Sequence, residues 1–195
     1  MSDNQNAAEV YAEVYADAQL EPGKEDFQRR FLEREGLLNP GDTFTALAAW
    51  RLIDPEGQVG MEVAVIALND GLVQVPLTYR PGPLPDTEGL LGEMAHSVLG
   101  TRYIYDARRD PVFAAALREV VRAGGQPVAK QNVKTGEIIP SPVRFQITPG
   151  EHTEVAVRVE EAFDDATLAA IPGTIVGTWD EEGQHRSAVL ARPRA

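Results

Sequence analysis

Cysteine is absent from the chain. That gap removes disulfides, thiolate nucleophiles and cysteine-based metal sites together. Basic charge is also scarce: 18 Lys and Arg stand against 30 Asp and Glu, a formal net charge of −12. Nucleic-acid phosphates and anionic membrane surfaces both call for clustered Lys and Arg, so neither is an expected partner. No apolar run approaches the roughly 20 residues that a spanning helix needs. The opening Met1-Ser-Asp-Asn-Gln-Asn6 has neither the basic region nor the apolar core of a secretory leader. A cytoplasmic location is the expectation.

The motifs of several enzyme classes are missing too. No Gly-x-Ser-x-Gly elbow offers a nucleophilic serine. Gly57-x-x-Gly60 and Gly89-x-x-Gly92 read as turn or helix glycines, not as a phosphate cradle. His96, His152 and His185 lie far apart, with no paired metal spacing. The acidic clusters Glu160-Glu161, Asp164-Asp165 and Asp180-Glu181-Glu182 lack the alternating ligands of a calcium loop. No metal and no cofactor are expected.

What is present begins with an ordinary globular composition, 43% apolar and 25% charged over 195 residues. That length supports one domain with a sizeable core, or one domain with an appendage. Ala7, Val10, Tyr11, Val14, Tyr15 and Ala18 fall at helical spacing and predict a first helix, stopped by Glu21-Pro22-Gly23. Phe27, Phe31 and Leu32 predict a second, ending at Gly36. From Phe44 the period changes to two. Phe44, Ala46, Ala48, Trp50 and Leu52 predict one strand, and Val59, Met61, Val63, Val65 and Ala67 the next. Asn69-Asp70-Gly71 closes a hairpin onto Val73, Val75, Leu77 and Tyr79. The pattern predicts an antiparallel meander with one buried face. Pro76 cannot donate to a ladder, which places this third strand at an edge or breaks it there.

A short helix is expected next, capped at Asp86 or Thr87, with Leu90, Leu91 and Met94 inward and Gly100 at its end. Asp110-Pro111 is a strong helix start, followed by the stripe Phe113, Ala116, Leu117, Val120 and Val121 and the stop Gly124-Gly125. Short strands are predicted over 143–147, 154–159, 174–179 and 187–191, with a brief helix from Asp164 to Ile171. Asp180-Glu181-Glu182-Gly183 turns the last hairpin. The fold class is α+β: a curved antiparallel meander packed with helices, and a further small antiparallel layer at the C-terminus.

One polar patch stands out: Glu93, His96, Tyr103, Tyr105 and Asp106. On a helix, Glu93 and His96 would be neighbours, and a carboxylate beside an imidazole can make a general base. The alternative is structural: His96 satisfies a backbone group, with Glu93 as its partner and Asp106 bracing the next turn.

Four stretches, Leu47 to Glu62, Gln74 to Tyr79, Glu93-x-x-His-Ser-Val-Leu-Gly100 and Tyr105-Asp106 with Asp110-Pro-Val-Phe113, resemble the maltokinase N-terminal cap domain. They resemble more closely its short stand-alone relatives, which carry a tail like Gly177-Thr-Trp179 and a strand like Ser187 to Ala191. The resemblance is strongest over 44–124. It implies a cystatin-like arrangement of curved sheet and helices. The division that follows is a helical appendage at 1–40 and one domain at 41–195, with a cap-like core at 42–125 and a β extension at 126–195.

In maltokinases, phosphorylation of maltose belongs to the kinase lobes, with a catalytic His-x-Asp. None of the three histidines here has Asp two places on. The resemblance therefore implies a non-catalytic accessory protein of maltose, trehalose or α-glucan metabolism. Its partner would be a maltokinase-like or glucan-metabolising enzyme, met through the patch or through a sheet edge near Pro76. Such an edge would also invite a homo-oligomer. The alternative is a small ligand-binding protein or enzyme, with a pocket between sheet and helix that uses His96 and Glu93.

Overall fold

The alternation that begins at Phe44 builds the frame of the molecule. The computed structural model describes residues 10–151, 153–159 and 171–194. Strands β1 (Ala12–Val14) and β2 (Leu20–Glu21) precede helix α1 (Lys24–Arg34). The meander comprises β3 (Thr45–Trp50), β4 (Gly60–Leu68), β5 (Gly71–Arg80), β6 (Leu90–His96) and β7 (Gly100–Asp106), and helix α2 (Pro111–Ala123) follows. Then come β8 (Lys130–Asn132), β9 (Ile138–Ile139), β10 (Arg144–Thr148), β11 (Thr153–Val155) and β12 (Arg158–Val159). A last hairpin pairs β13 (Thr174–Glu181) with β14 (Gln184–Pro193).

Among the described residues the fold is mostly β, with two α-helices. The main sheet is antiparallel in the order β2-β6-β7-β5-β4-β3, with β12 added beside β5. Register shifts between Ala46 and Ala48 and between Leu90 and Gly92 help to curl it. A second antiparallel sheet runs β10-β13-β14-β11. A small third one joins β1, β8 and β9, with β1 parallel to β8. No helix among the described residues is long and apolar enough to cross a membrane.

Strand alternation sends β4 and β5 side chains to both faces, and both are buried. Ala64, Ile66, Val73, Val75 and Leu77 pack beneath Phe27, Phe31 and Leu32 of α1. Met61, Val63, Val65 and Trp50 meet Phe113, Leu117 and Val121 of α2, and Ile175, Trp179 and Leu190 of the second sheet. The single buried face expected from the meander is thus corrected. The C-terminal strands cover the side that would otherwise meet water. The segment expected as one strand over 154–159 is split: β11 pairs with β14 and β12 with β5, so this stretch crosses from one sheet to the other.

Pro76 is a second correction, because β5 is central. Its neighbour on one side is β4 throughout; on the other it pairs with β12 at Leu72 and Val73, then with β7 from Leu77 to Arg80. The Gln74 amide donates to Val157 O on that second side at 2.7 Å. Two residues on, the missing Pro76 amide points the same way, into the gap between β12 and β7 where no ladder bond is required. A proline fits an interior strand here because its partner changes at that residue. The edges of the main sheet are β2 and β3.

Two expected helices are strands. The segment from Ala12 to Val14 pairs with Lys130 to Asn132, a partner more than a hundred residues away that helical spacing cannot reveal. Ala7, the first residue of that expected helix, lies outside the described residues. The helix expected after Asp86 is the β6–β7 hairpin. Gly92 decides it, with φ of +141°, far from helical. A Cβ there would also press on Phe27 Cε1 at 3.3 Å and displace the end of the Arg30 side chain, so glycine suits this position both for its φ and for the close approach of α1. The helix expected at Asp164 to Ile171 falls largely outside the described residues.

The remaining elements form as read. Gly36 lies just past α1 and is left-handed. Asp110 caps α2, Pro111 opens it, and Gly124 closes it in the left-handed conformation. Glu182 and Gly183, both with positive φ, turn the final hairpin. In β13, a Cβ on Gly177 would overlap the side chain of Leu190 on the paired strand. Gly177→Ala is therefore expected to overpack the second core and lower stability by about 2 kcal/mol, read as a shifted urea midpoint at unchanged slope.

Candidate functional site

The β6–β7 hairpin carries the polar patch, and its register sorts the five residues. Glu93 stands directly opposite Tyr103, and His96 opposite Gly100. Residues three apart on a strand point to opposite faces. Glu93, Tyr103 and Tyr105 share one face of the sheet, while His96 and Asp106 face the α1 side. The acid–imidazole pair expected from helical spacing is not assembled, because the segment has period two.

Each member has a local task. His96 Nδ1 accepts the amides of Val98 at 3.2 Å and Leu99 at 3.1 Å. Such bonds require a neutral ring with its proton on Nε2. Partial burial, with the Arg102 charge adding to it, lowers the His96 pKa in the direction this needs. The ring also packs edge-on against Tyr15 at 5.5 Å. The next residue anchors the tip: Ser97 Oγ accepts from Gln19 N at 2.9 Å, and Ser97 N donates to Gln19 O at 3.0 Å. Arg102 completes the turn by donating to Leu99 O at 3.0 Å. The tip presents Val98 and Leu99 to solvent, 60% and 39% exposed. The backbone-satisfying alternative for His96 is the one the geometry favours, with Glu93 uninvolved.

Tyr105 is fully buried, and its hydroxyl accepts from Leu84 N at 2.9 Å. Asp106 accepts from Arg34 at 3.2 Å and from Arg108 at 2.7 Å, and its Oδ1 takes the Arg108 amide at 3.0 Å. Arg108 reaches on to Glu35 at 2.7 Å and lies 5.1 Å from the Phe31 ring centroid. Burial disfavours its charge, but Asp106 and Glu35 outweigh that and hold the guanidinium firmly protonated. This group fastens the end of α1 to the end of β7.

Three polar residues within the resembling stretches carry more of the structure than the patch does. Asp110 caps α2 through Val112 N at 2.9 Å, and it also accepts Thr78 Oγ1 and Arg80 Nη1, each at 2.8 Å. Glu62 is held by Lys24 Nζ at 3.0 Å and by Arg51. Burial pushes its carboxyl up, yet Arg51 and then Lys24 outweigh this and bring it to about 2. Gln74, wholly buried, accepts Trp50 Nε1 at 2.9 Å and donates to Ala156 O and Leu190 O at 2.7 Å each. The signal for Gln74 was present in the alternation. It lies on the β5 face opposite Val73 and Val75, a polar group on a strand whose other face is apolar.

A surface cleft of about 260 Å³ opens between the turn after α1 and the β4–β5 hairpin, lined by Asn39, Asp42, Thr43, Asn69, Asp70 and Arg158. It includes none of the five patch residues. Among the described residues no group of three or more His, Asp or Glu side chains is placed to hold a metal ion.

Residues 34–110 match the family model of the maltokinase N-terminal cap domain. The matched span runs from the last residue of α1 to the capping Asp110, and so contains the whole meander. The chain is cap-like over these residues. No curated protein matches the chain.

The charge trio makes a testable claim. Glu62 has a folded pKa near 2, below its ordinary 4.5, so its contribution is fully present above about pH 4.5 and lost as pH falls through 2. Glu62→Gln is expected to lower stability at pH 7 by on the order of 2 kcal/mol, less than for a fully buried pair because Lys24 is partly in water. In urea titrations followed by tryptophan fluorescence, the gap between parent and variant should close as pH falls from 4.5 towards 2. A gap independent of pH would remove Glu62 ionisation from the account.

Proposed function

We propose that this chain is a non-catalytic accessory module of cytoplasmic maltose, trehalose or α-glucan metabolism that docks on a maltokinase-like or glucan-metabolising enzyme. One observation carries the reading. The side chains behind the cap resemblance are committed to architecture: Asp54, His96, Asp106 and Asp110 cap turns or helices, and Glu62 and Gln74 tie layers together. A pattern of that kind preserves a shape rather than a reaction. The cystatin-like arrangement expected of the cap is supported by the curled sheet with α1 packed across it. The β6–β7 tip, with Val98 and Leu99 outward, is the contact surface this reading favours.

The test mixes the purified chain with the purified kinase lobes of maltokinase and, separately, with trehalose synthase, using sedimentation velocity. A complex with one of them is expected, weakened at least tenfold by Val98→Asp together with Leu99→Asp. The chain alone should transfer no phosphate from ATP to maltose. Phosphate transfer by the chain would overturn the reading. Saturable small-molecule binding abolished by His96→Ala would replace it with a ligand-binding role.

A further inference from the structure

The charge trio sits beside a small cavity. Its walls are Ala49 near the end of β3 and Arg51 just after it, Glu62 on β4, Val128 and Lys130 entering β8, and Ser141 with Pro142. The volume is about 20 Å³, and a site needs at least roughly 10–15 Å³ to hold one water-sized species. A phosphate, a sugar or a nucleotide is therefore too large. What fits is a single water or a single monatomic ion.

Charge decides between them. Lys24 and Arg51 both rely on the one carboxylate of Glu62. Lys130 lines the same cavity half-buried, and its ammonium has no hydrogen bond or ion pair among the described residues. Two cations, Arg51 and Lys130, thus line the cavity with the one carboxylate of Glu62, which Lys24 already shares, in a chain whose overall charge is −12. The Arg51 and Glu62 side chains are each only 12% exposed, so bulk water does little to screen the charges at the cavity wall, while Lys24 is partly in water. Burial lowers the Lys24 pKa; Glu62 opposes this, while repulsion from Arg51 and Lys130 works with it, and the net direction is down. Ser141 Oγ accepts Val143 N at 3.3 Å, which leaves the hydroxyl proton free to donate. A neutral water would answer the hydrogen bonds but not the surplus positive charge. A small anion answers both.

We propose that the cavity between Arg51, Lys130 and Ser141 binds one halide-sized anion, which pins the 128–142 segment onto the cap-like sheet. Two of its walls belong to that segment and the others to β3 and β4. The Val128 amide already donates to Arg51 O at 3.0 Å alongside, so the anion would complete an existing seam. The 128–142 segment lies outside the matched residues, and the anion would be a device for joining the two parts.

The experiment is thermal unfolding of the full chain in sodium bromide and sodium chloride against sodium gluconate at equal ionic strength. The midpoint should rise with halide in a saturable way, by about 5 °C at a hundredfold excess over the dissociation constant. Lys130→Met should abolish the difference between the salts. Should that variant not fold, Ser141→Ala should reduce the difference instead. Crystals grown in bromide should show anomalous density beside Arg51 and Lys130. Equal midpoints in all three salts, or a halide effect that both variants retain, would overturn the proposal. Bromide density without halide-linked stability would mean an adventitious ion only, and overturn it too.

Discussion

A buried amide bridges the two larger sheets of this protein. Gln74 sits in the middle of β5 with no solvent exposure. Its oxygen takes the Trp50 indole proton from β3, and its nitrogen serves two carbonyls of the C-terminal part, Ala156 between β11 and β12 and Leu190 on β14. An unpaired amide in that position costs about 1–3 kcal/mol, so the layers must meet where all three bonds form. Hydrophobic contact alone would let one sheet slide on the other, since dispersion and burial have no direction. The Gln74 amide supplies the direction. Its own backbone N–H, bonded to Val157, fixes where β12 begins and therefore where Pro76 is tolerated.

Around that fixed centre, paired charges do for the helices what Gln74 does for the sheets. Glu62 ties the start of α1 to β3, Asp106 ties its end to β7, and Asp110 ties α2 to β5. Each carboxylate is mostly buried and each has Arg among its partners, whose fixed fork of donors suits bonding from two directions. In a chain without cysteine these struts, rather than covalent links, set how the helices sit on the sheet.

The same economy explains why the cap-like stretches look chemical and behave structurally. His, Ser, Asp and Gly at the β6–β7 tip are residue types that catalysis also favours. Here the imidazole and hydroxyl serve backbone amides, and Gly100 takes the left-handed turn position. The exposed side chains they support, Val98 and Leu99, are apolar.

Local chemistry decided a good deal of this fold in the sequence itself. Asp110-Pro111 with Gly124 bounds α2, Gly36 closes the first helix, Asn69-Asp70-Gly71 and Glu182-Gly183 make hairpins, and alternation from Trp50 to Tyr79 gives the meander. Each rests on backbone preferences acting within a few residues, and such preferences survive without context. Glu93 and His96 were misplaced for the opposite reason. Leu90, Leu91 and Met94 fit a helix as readily as a strand, and it is the pairing with β7, with Gly92 at a φ of +141°, that makes the segment a strand. The short strand at Ala12 depends on Lys130, and the burial of the meander's second face depends on strands after residue 143. Contacts between residues so distant leave no periodic trace in the chain, so tertiary packing alone determined them.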